Sequence, residues 1–193
     1  MIIGITGGTG SGKTTLLKLM EQAGVLVLDC DAIYHELLNK DQSLLDAIEA
    51  RFPGTVENGC LQRKKLGQIV FSDEKALLEL NKITHSAIHN EVLRRLESGP
   101  DHCAIDAVAL FESGMDKLCD VTVAVTAPAE LRLERLMKRD GISAEYARKR
   151  MEAQPSEQWY REKCDHILEN HGTEADFQDK CLAFLRELAI MKA

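Results

Sequence analysis

The chain lacks any apolar run near the ~18 residues that a membrane-crossing helix needs, so no span is expected. It also lacks the start of a secretory leader: Ile2, Ile3 and Ile5 give way at once to glycines, and no basic segment precedes them. A cytoplasmic location is therefore the expectation. Six cysteines, at 30, 60, 103, 119, 164 and 181, include no C-x-x-C pair and no cluster of the kind that holds zinc. Most of them read as small buried hydrophobes in a reducing compartment. Positive charge is scarce as well, because a net charge of −7 opposes the cationic face on which non-specific nucleic-acid binding depends. Repeats and low-complexity segments are missing too. What remains, 193 residues with 45% hydrophobic and 28% charged, is the profile of one globular domain with room for an inserted subdomain.

Against these absences stands one run without a mismatch to G-x-x-x-x-G-K-[ST]: Gly7-Gly8-Thr9-Gly10-Ser11-Gly12-Lys13-Thr14. It follows the strand-like Ile2-Ile3-Gly4-Ile5 and precedes the periodic Leu16, Leu17, Leu19, Met20, which is the strand-loop-helix setting the motif requires. Glycines let successive N–H groups point inward and form an anion nest at the positive end of the following helix. Lys13 then reaches the β- and γ-phosphates, and the Thr14 hydroxyl offers a hard oxygen to Mg²⁺. In an acidic protein, that chemistry demands cations concentrated locally.

Strand-like and helical runs alternate, which predicts a mostly parallel α/β sheet of about five strands with helices on both faces. The strands fall near residues 2–6, 25–29, 102–106, 121–125 and 166–169. Helical patterns cover Ala32 to Lys40, Gln42 to Arg51, Leu61 to Phe71 and Asp73 to Glu97, too much for a simple crossover, so a helical insertion is expected there. Pro53-Gly54, Asn58-Gly59 and Ser98-Gly99-Pro100 mark its joints. Pro128 opens a helix that Gly141 stops, a further helix begins near Ser143, and Thr173 to Met191 closes the chain. A single P-loop kinase-type domain follows, with a core of 1–31, 100–137 and 165–193, an insertion of 32–99 and a lid of 138–164.

Ligands of open parallel sheets collect beyond the strands' carboxyl ends, where Asp29, Asp31 and Asp106 stand. Asp106 can hold Mg²⁺ directly or through water, or serve only as a loop aspartate. Asp31 can accept the proton of an attacking hydroxyl, or can instead cap the helix starting at Ala32. Arg132, Arg135 and Arg139 lie along one side of their helix, with Arg148 and Arg150 beyond Gly141. They suit a lid that stabilises a migrating phosphoryl group; the rival is a solvated face with a Glu134–Lys138 pair. His85 and His89 stand four apart without an acidic residue of the H-E-x-x-H kind, so contact with an acceptor substrate is preferred for His85 over metal binding. Trp159-Tyr160 reads as a packing cluster, with a stacking surface as the alternative.

The ordered set resembles the dephospho-CoA kinases nearly end to end. The residues that carry the similarity are Ile5 to Thr15, Asp29-Cys30-Asp31, Arg63 with Leu66, Val70-Phe71, His85 with Ile88, and Leu110-Phe111-Glu112. Arg135, Arg139, Gln154, Asp165, Asn170 and Gly172 continue it. The resemblance implies transfer of the ATP γ-phosphoryl to the ribose 3′-hydroxyl of dephospho-CoA with Mg²⁺. Lys13, Asp31 as base and Arg139 would be catalytic, while Gly8, Gly10, Ser11, Gly12, Lys13, Thr14, Thr15, Arg135 and Asn170 would bind nucleotide. Asp31, His85, Leu110 and Glu112 would face the acceptor, and Thr14 and Asp106 the metal. Asn170-His171-Gly172 would lie near adenine. The implied partners are the two small-molecule substrates, with neither nucleic acid nor membrane, and a monomer is favoured. Ser86, Val108-Ala109, Cys30 and Cys164 depart from the family's residues, changing loop stiffness more than functional groups. Rival readings are a nucleoside or nucleotide kinase, a non-catalytic ATP-binding module, and a GTP switch, for which Asp106-Ala107-Val108-Ala109 lacks the glycine and Asn81-Lys82-Ile83-Thr84 the final aspartate.

Overall fold

The computed structural model describes residues 1–191, so Lys192 and Ala193, at the end of the expected core segment, lie outside the described residues. Its elements in chain order are β1 (Ile2–Thr6), α1 (Lys13–Gln22), β2 (Leu26–Asp29), α2 (Cys30–Lys40), α3 (Gln42–Arg51), β3 (Val56–Glu57), β4 (Cys60–Leu61), α4 (Arg63–Val70), α5 (Glu74–Glu97), β5 (Cys103–Asp106), a 3₁₀ turn (Met115–Leu118), β6 (Val121–Thr126), α6 (Ala129–Asp140), α7 (Ala144–Glu152), α8 (Glu157–Lys163), β7 (His166–Glu169) and α9 (Glu174–Glu187). Two compact units result, one of Met1–Leu28 with the chain from Gly99 onward and one of Asp29–Ser98.

The first unit is built on a five-stranded sheet of order β2-β5-β1-β6-β7. Pairing is parallel between β1 and β5, β1 and β6, and β6 and β7, with Ile5 opposite Asp106 on one side and Val123 on the other. Strand β6 is covered on both faces, since Thr122, Val123, Ala124, Val125 and Thr126 are all buried. On one face Ile3, Ile5, Leu16, Met20, Phe177, Cys181, Phe184 and Leu185 form a continuous cluster with α1 and α9. Each such side chain contributes on the order of 1.5–3 kcal/mol by leaving water. Thr173 and Asp176 close α9 with reciprocal side-chain-to-backbone bonds, a capping box. That helix ends at Glu187, short of the expected Met191, and Ala189 adopts a φ of 55° just beyond.

The second unit is helical around Leu38, Leu44, Leu45, Ile48, Phe52, Leu66, Val70 and Ala76. Asp29, Asp41 and Asp73 cap α2, α3 and α5 by accepting backbone N–H bonds. Asn58-Gly59 is not a mere joint. Both residues have positive φ (52° and 72°), and they close a two-residue hairpin that pairs Val56 with Leu61 and Glu57 with Cys60. The helix expected from Leu61 therefore starts at Arg63, because β4 takes Leu61 into the hairpin. Burial pushes the thiols of Cys119 and Cys181 up to about 12 and that of Cys164 to about 11, in keeping with apolar roles.

Arg95 links α5 to α2 and also binds within its own helix, donating to Glu36 at 2.6 Å and to Glu91 at 2.7 Å, while Arg94 donates to Glu91 at 2.7 and 2.8 Å. Hydrogen bonds from Arg94 first, and then Arg95, hold the Glu91 carboxyl down at about 2. Its folded pKa lies below the ordinary value, so the contribution is fully present above about pH 4.5 and is lost as pH falls from there through about 2. Glu91→Gln should therefore lower the urea midpoint at pH 7 and converge with the parent near pH 2. Circular dichroism along a pH series checks this, and a constant gap at every pH would assign the effect to packing.

Candidate active site

Gly12 starts α1 in the left-handed region at φ 103°, and neither a capping side chain nor an acidic residue serves that helix's first turn. Side chains of Asp29, Asp41, Asp73, Ser143, Ser156 and Thr173 do so for six others. Helices α4 and α6 are uncapped as well, but neither follows a glycine loop. The first N–H groups of α1 are thus left for an anion, as the motif requires. Lys13 Nζ lies 2.8 Å from Asp106 Oδ1, and both side chains are about 85% buried, being 15% and 14% exposed. Strand pairing explains the meeting: Asp106 ends β5, the strand beside the one that feeds the loop.

The rest of the loop is held from outside. Asn170, 4% exposed at the end of β7, donates from Nδ2 to the Ser11 carbonyl at 2.8 Å. Its own N–H donates to the Thr126 carbonyl at 2.8 Å. A Cβ on Gly12 would come within 2.3 Å of that Asn170 nitrogen, so backbone shape and close approach both require glycine there. Arg135 Nη1 donates to the carbonyls of Gly10 and Ser11 at 3.3 Å, and its Nη2 reaches Asn170 Oδ1 at 3.4 Å. Arg132 Nε donates to the Thr9 carbonyl at 2.9 Å, and burial lowers its pKa.

The decisive comparison agrees with this geometry. Residues 1–176 match the family model described as dephospho-CoA kinase. The chain belongs to the dephospho-CoA kinase family. It is 34% identical to the dephospho-CoA kinase of Bacillus licheniformis over 91% of this chain and 90% of that one. A crystal structure from Thermus thermophilus superposes with a TM-score of 0.84 at 31% identity, covering 100% of this chain and 98% of its own. Dephospho-CoA kinase from Campylobacter jejuni gives 0.70 at 27% identity, covering 97% and 96%. The chain is thus a transferase, and its reaction is the ATP-dependent phosphorylation of dephospho-CoA to coenzyme A, the last step of coenzyme A biosynthesis.

Gly8, Gly10, Ser11, Gly12, Lys13, Thr14 and Thr15 form the loop and first turn of α1; Arg135 and Asn170 bind the loop's carbonyls, and Asp106 meets Lys13. Arg139 stands apart from them. It donates to Asp140 at 2.6 and 3.0 Å, and Asp140 also takes Arg150 at 2.7 Å. Those bonds, Arg139's first, hold the exposed Asp140 carboxyl down at about 2. Of the three arginines expected along one side of α6, two touch the loop and the third sits at the helix end. Asp31 is not the cap of α2: that helix starts two residues earlier than expected, and Asp29 accepts the N–H bonds of Asp31 and Ala32 at 2.9 and 3.0 Å. The Asp31 carboxylate is exposed. His85 lies half-buried on α5, and among the described residues no group of three or more His, Cys, Asp or Glu side chains is arranged to hold a metal.

Leu110 is fully buried and lies close to Gly4 of β1, so it is a core residue here, whereas Glu112 is exposed. Trp159 meets Phe111 and Tyr160 edge-on at 5.3 Å each, which is packing. Burial pushes the Tyr160 phenol up to about 12. Arg132 was legible only as one of an arginine group, and no sequence pattern sets it apart as a loop contact. Replacing Asn170 with Ala strips a buried carbonyl and Arg135 of a partner, a loss of about 1–3 kcal/mol. Thermal unfolding should show the drop, and calorimetry should show weaker ATP binding; unchanged ATP affinity would mean that the loop keeps its shape unaided.

Proposed function

We propose that the phosphoryl group goes from ATP to the ribose 3′-hydroxyl of dephospho-CoA, and that the glycine loop with its external braces is the donor site. The observation that carries this is the preset loop, uncapped at α1, with Lys13 poised on Asp106. Loop N–H groups and Lys13 take the β- and γ-phosphates, and Lys13 gives up Asp106 for a ligand of higher negative charge. Thr14 and Asp106 supply the hydroxyl and carboxylate oxygens that a hard cation prefers, so this pair fits Mg²⁺. When bound, Mg²⁺ neutralises charge on the phosphates. Arg135 and Asn170 act on the nucleotide through the loop they support, and Arg139 shifts from Asp140 to the migrating group.

Asp31 is the base. The capping duty falls to Asp29, and no hydrogen bond to the Asp31 carboxylate is present among the described residues. It takes the hydroxyl proton as the oxygen attacks the γ-phosphorus; the bond to the β,γ-bridging oxygen breaks, and ADP leaves. His85 and Glu112 face the acceptor, with Leu110 as the packed support behind. Residues 32–99 serve as the acceptor-binding insertion and 138–164 as an arginine-rich lid on the remaining core. The enzyme works as a cytoplasmic monomer. No helix among the described residues is long and apolar enough to cross a membrane.

ADP release from Mg·ATP should require dephospho-CoA and should not occur with a panel of nucleosides and nucleoside monophosphates; turnover of those instead would make the chain a nucleoside or nucleotide kinase. Asp31→Asn should cut kcat roughly 10²- to 10⁴-fold with ATP affinity near normal. Equal loss of both would move Asp31 out of the base role. Lys13→Ala should lose turnover together with much of its ATP affinity.

A further inference from the structure

Gln154 follows α7 and belongs to none of the groups that contact phosphate in the reading above. Its Oε1 accepts the Thr9 N–H at 2.8 Å and Arg132 Nη2 at 3.0 Å. The same guanidinium donates through Nε to the Thr9 carbonyl at 2.9 Å. Both backbone polar groups of one loop residue are thereby closed into a ring with one carboxamide oxygen and one guanidinium. The ring is crowded: a Cβ on Gly8 would stand 2.3 Å from Arg132 Nη2, and one on Gly10 would stand 2.7 Å from the Arg132 carbonyl oxygen. Neither partner could move far without the loop moving too.

We propose that Gln154 is a positioning residue of the phosphoryl transfer, fixing Thr9 and Arg132 so that the donor loop has its working shape before ATP arrives. The residue type follows from the demands on it. Two donors converge on a single acceptor atom, which a carboxamide oxygen with two lone pairs satisfies. A neutral group does so without placing an anion beside the triphosphate, whereas a carboxylate there would repel the ligand while pairing with Arg132. Preorganisation of this kind strengthens binding by removing the ordering cost from the binding step. The inference rests on the kinase reading given above.

A double-mutant cycle with Gln154→Met and Arg132→Met tests it. Methionine keeps the length of the side chain and removes the acceptor. In Gln154→Met the KM for ATP should rise about tenfold, the size of one charge-assisted hydrogen bond. The KM for dephospho-CoA should stay within about twofold and the melting temperature should hardly move, since the site is at the edge of the core. In the Arg132→Met background the same change should have a much smaller effect, because the ring is already open. Gln154→Glu should retain the melting temperature but bind ATP more weakly than the parent. Equal weakening of both substrates, or an undiminished effect without Arg132, would overturn the proposal. Calorimetric ATP binding of the same variants reads the clamp even if the parent fails to turn over dephospho-CoA, an outcome that would sink the kinase reading alone.

Discussion

A glycine-rich phosphate loop has few side chains and few bonds of its own with which to hold itself, so its concave shape depends on support from outside. In this chain the constraint is met by hydrogen bonds that end on the loop's own carbonyls: Asn170 on Ser11, Arg135 on Gly10 and Ser11, Arg132 on Thr9. Each brace comes from an element beyond the loop by well over a hundred residues, and each is aimed by the sheet. β6 delivers the chain into α6 and its arginines, and its terminal Thr126 carbonyl anchors Asn170 at the end of β7. Strand order β1-β6-β7 is therefore as much a part of the phosphate site as Lys13 is. Asp165 supports the same edge, since it accepts both the N–H and the hydroxyl of Thr122, at 2.8 and 2.7 Å, and fixes β7 to β6.

The strands were readable because covered parallel strands carry unbroken apolar runs between turn residues, and all five lie within about a residue of where the pattern puts them. Helix ends were less readable where one local rule met another. Asn58-Gly59 is both a breaker and a type I′ hairpin signal, and the flanking Val-Glu and Cys-Leu pairs are too short to declare themselves as strands. Asp29 and Asp31 are both good helix caps by residue type. Only backbone geometry assigns the duty to Asp29, which leaves the Asp31 side chain without a capping role. The resemblance points to Arg135, Asn170 and Gln154 but not to their role as braces of the loop. An asparagine after a strand and a glutamine after a helix carry no pattern of their own, and their meaning comes from bonds to residues 159 and 145 positions away.

The acidic balance of the chain makes it matter where each cation spends its charge. Arg94 and Arg95 are committed to Glu91, with Glu36 as a second anion for Arg95, and Arg139 and Arg150 share Asp140. Arg132 and Arg135 are different in kind, because the hydrogen bonds they donate end on carbonyls and carboxamides. Neutral acceptors orient a guanidinium without cancelling its charge. In a partly buried site, where screening by water is weak, charge that is not fully cancelled acts more strongly on an arriving polyanion. The loop thus obtains shape and positive potential from the same two side chains, which explains how an acidic protein can present a local site for triphosphate.

Lys13 is the exception among the loop's cations, since the Asp106 carboxylate pairs with it at 2.8 Å. An ammonium at this depth without an anion would bear a desolvation penalty of several kcal/mol. The carboxylate removes that penalty, and a triphosphate can replace it because it brings more negative charge to the same point. The sheet register that sets Ile5 opposite Asp106 keeps the loop's ammonium and this carboxylate in reach of each other.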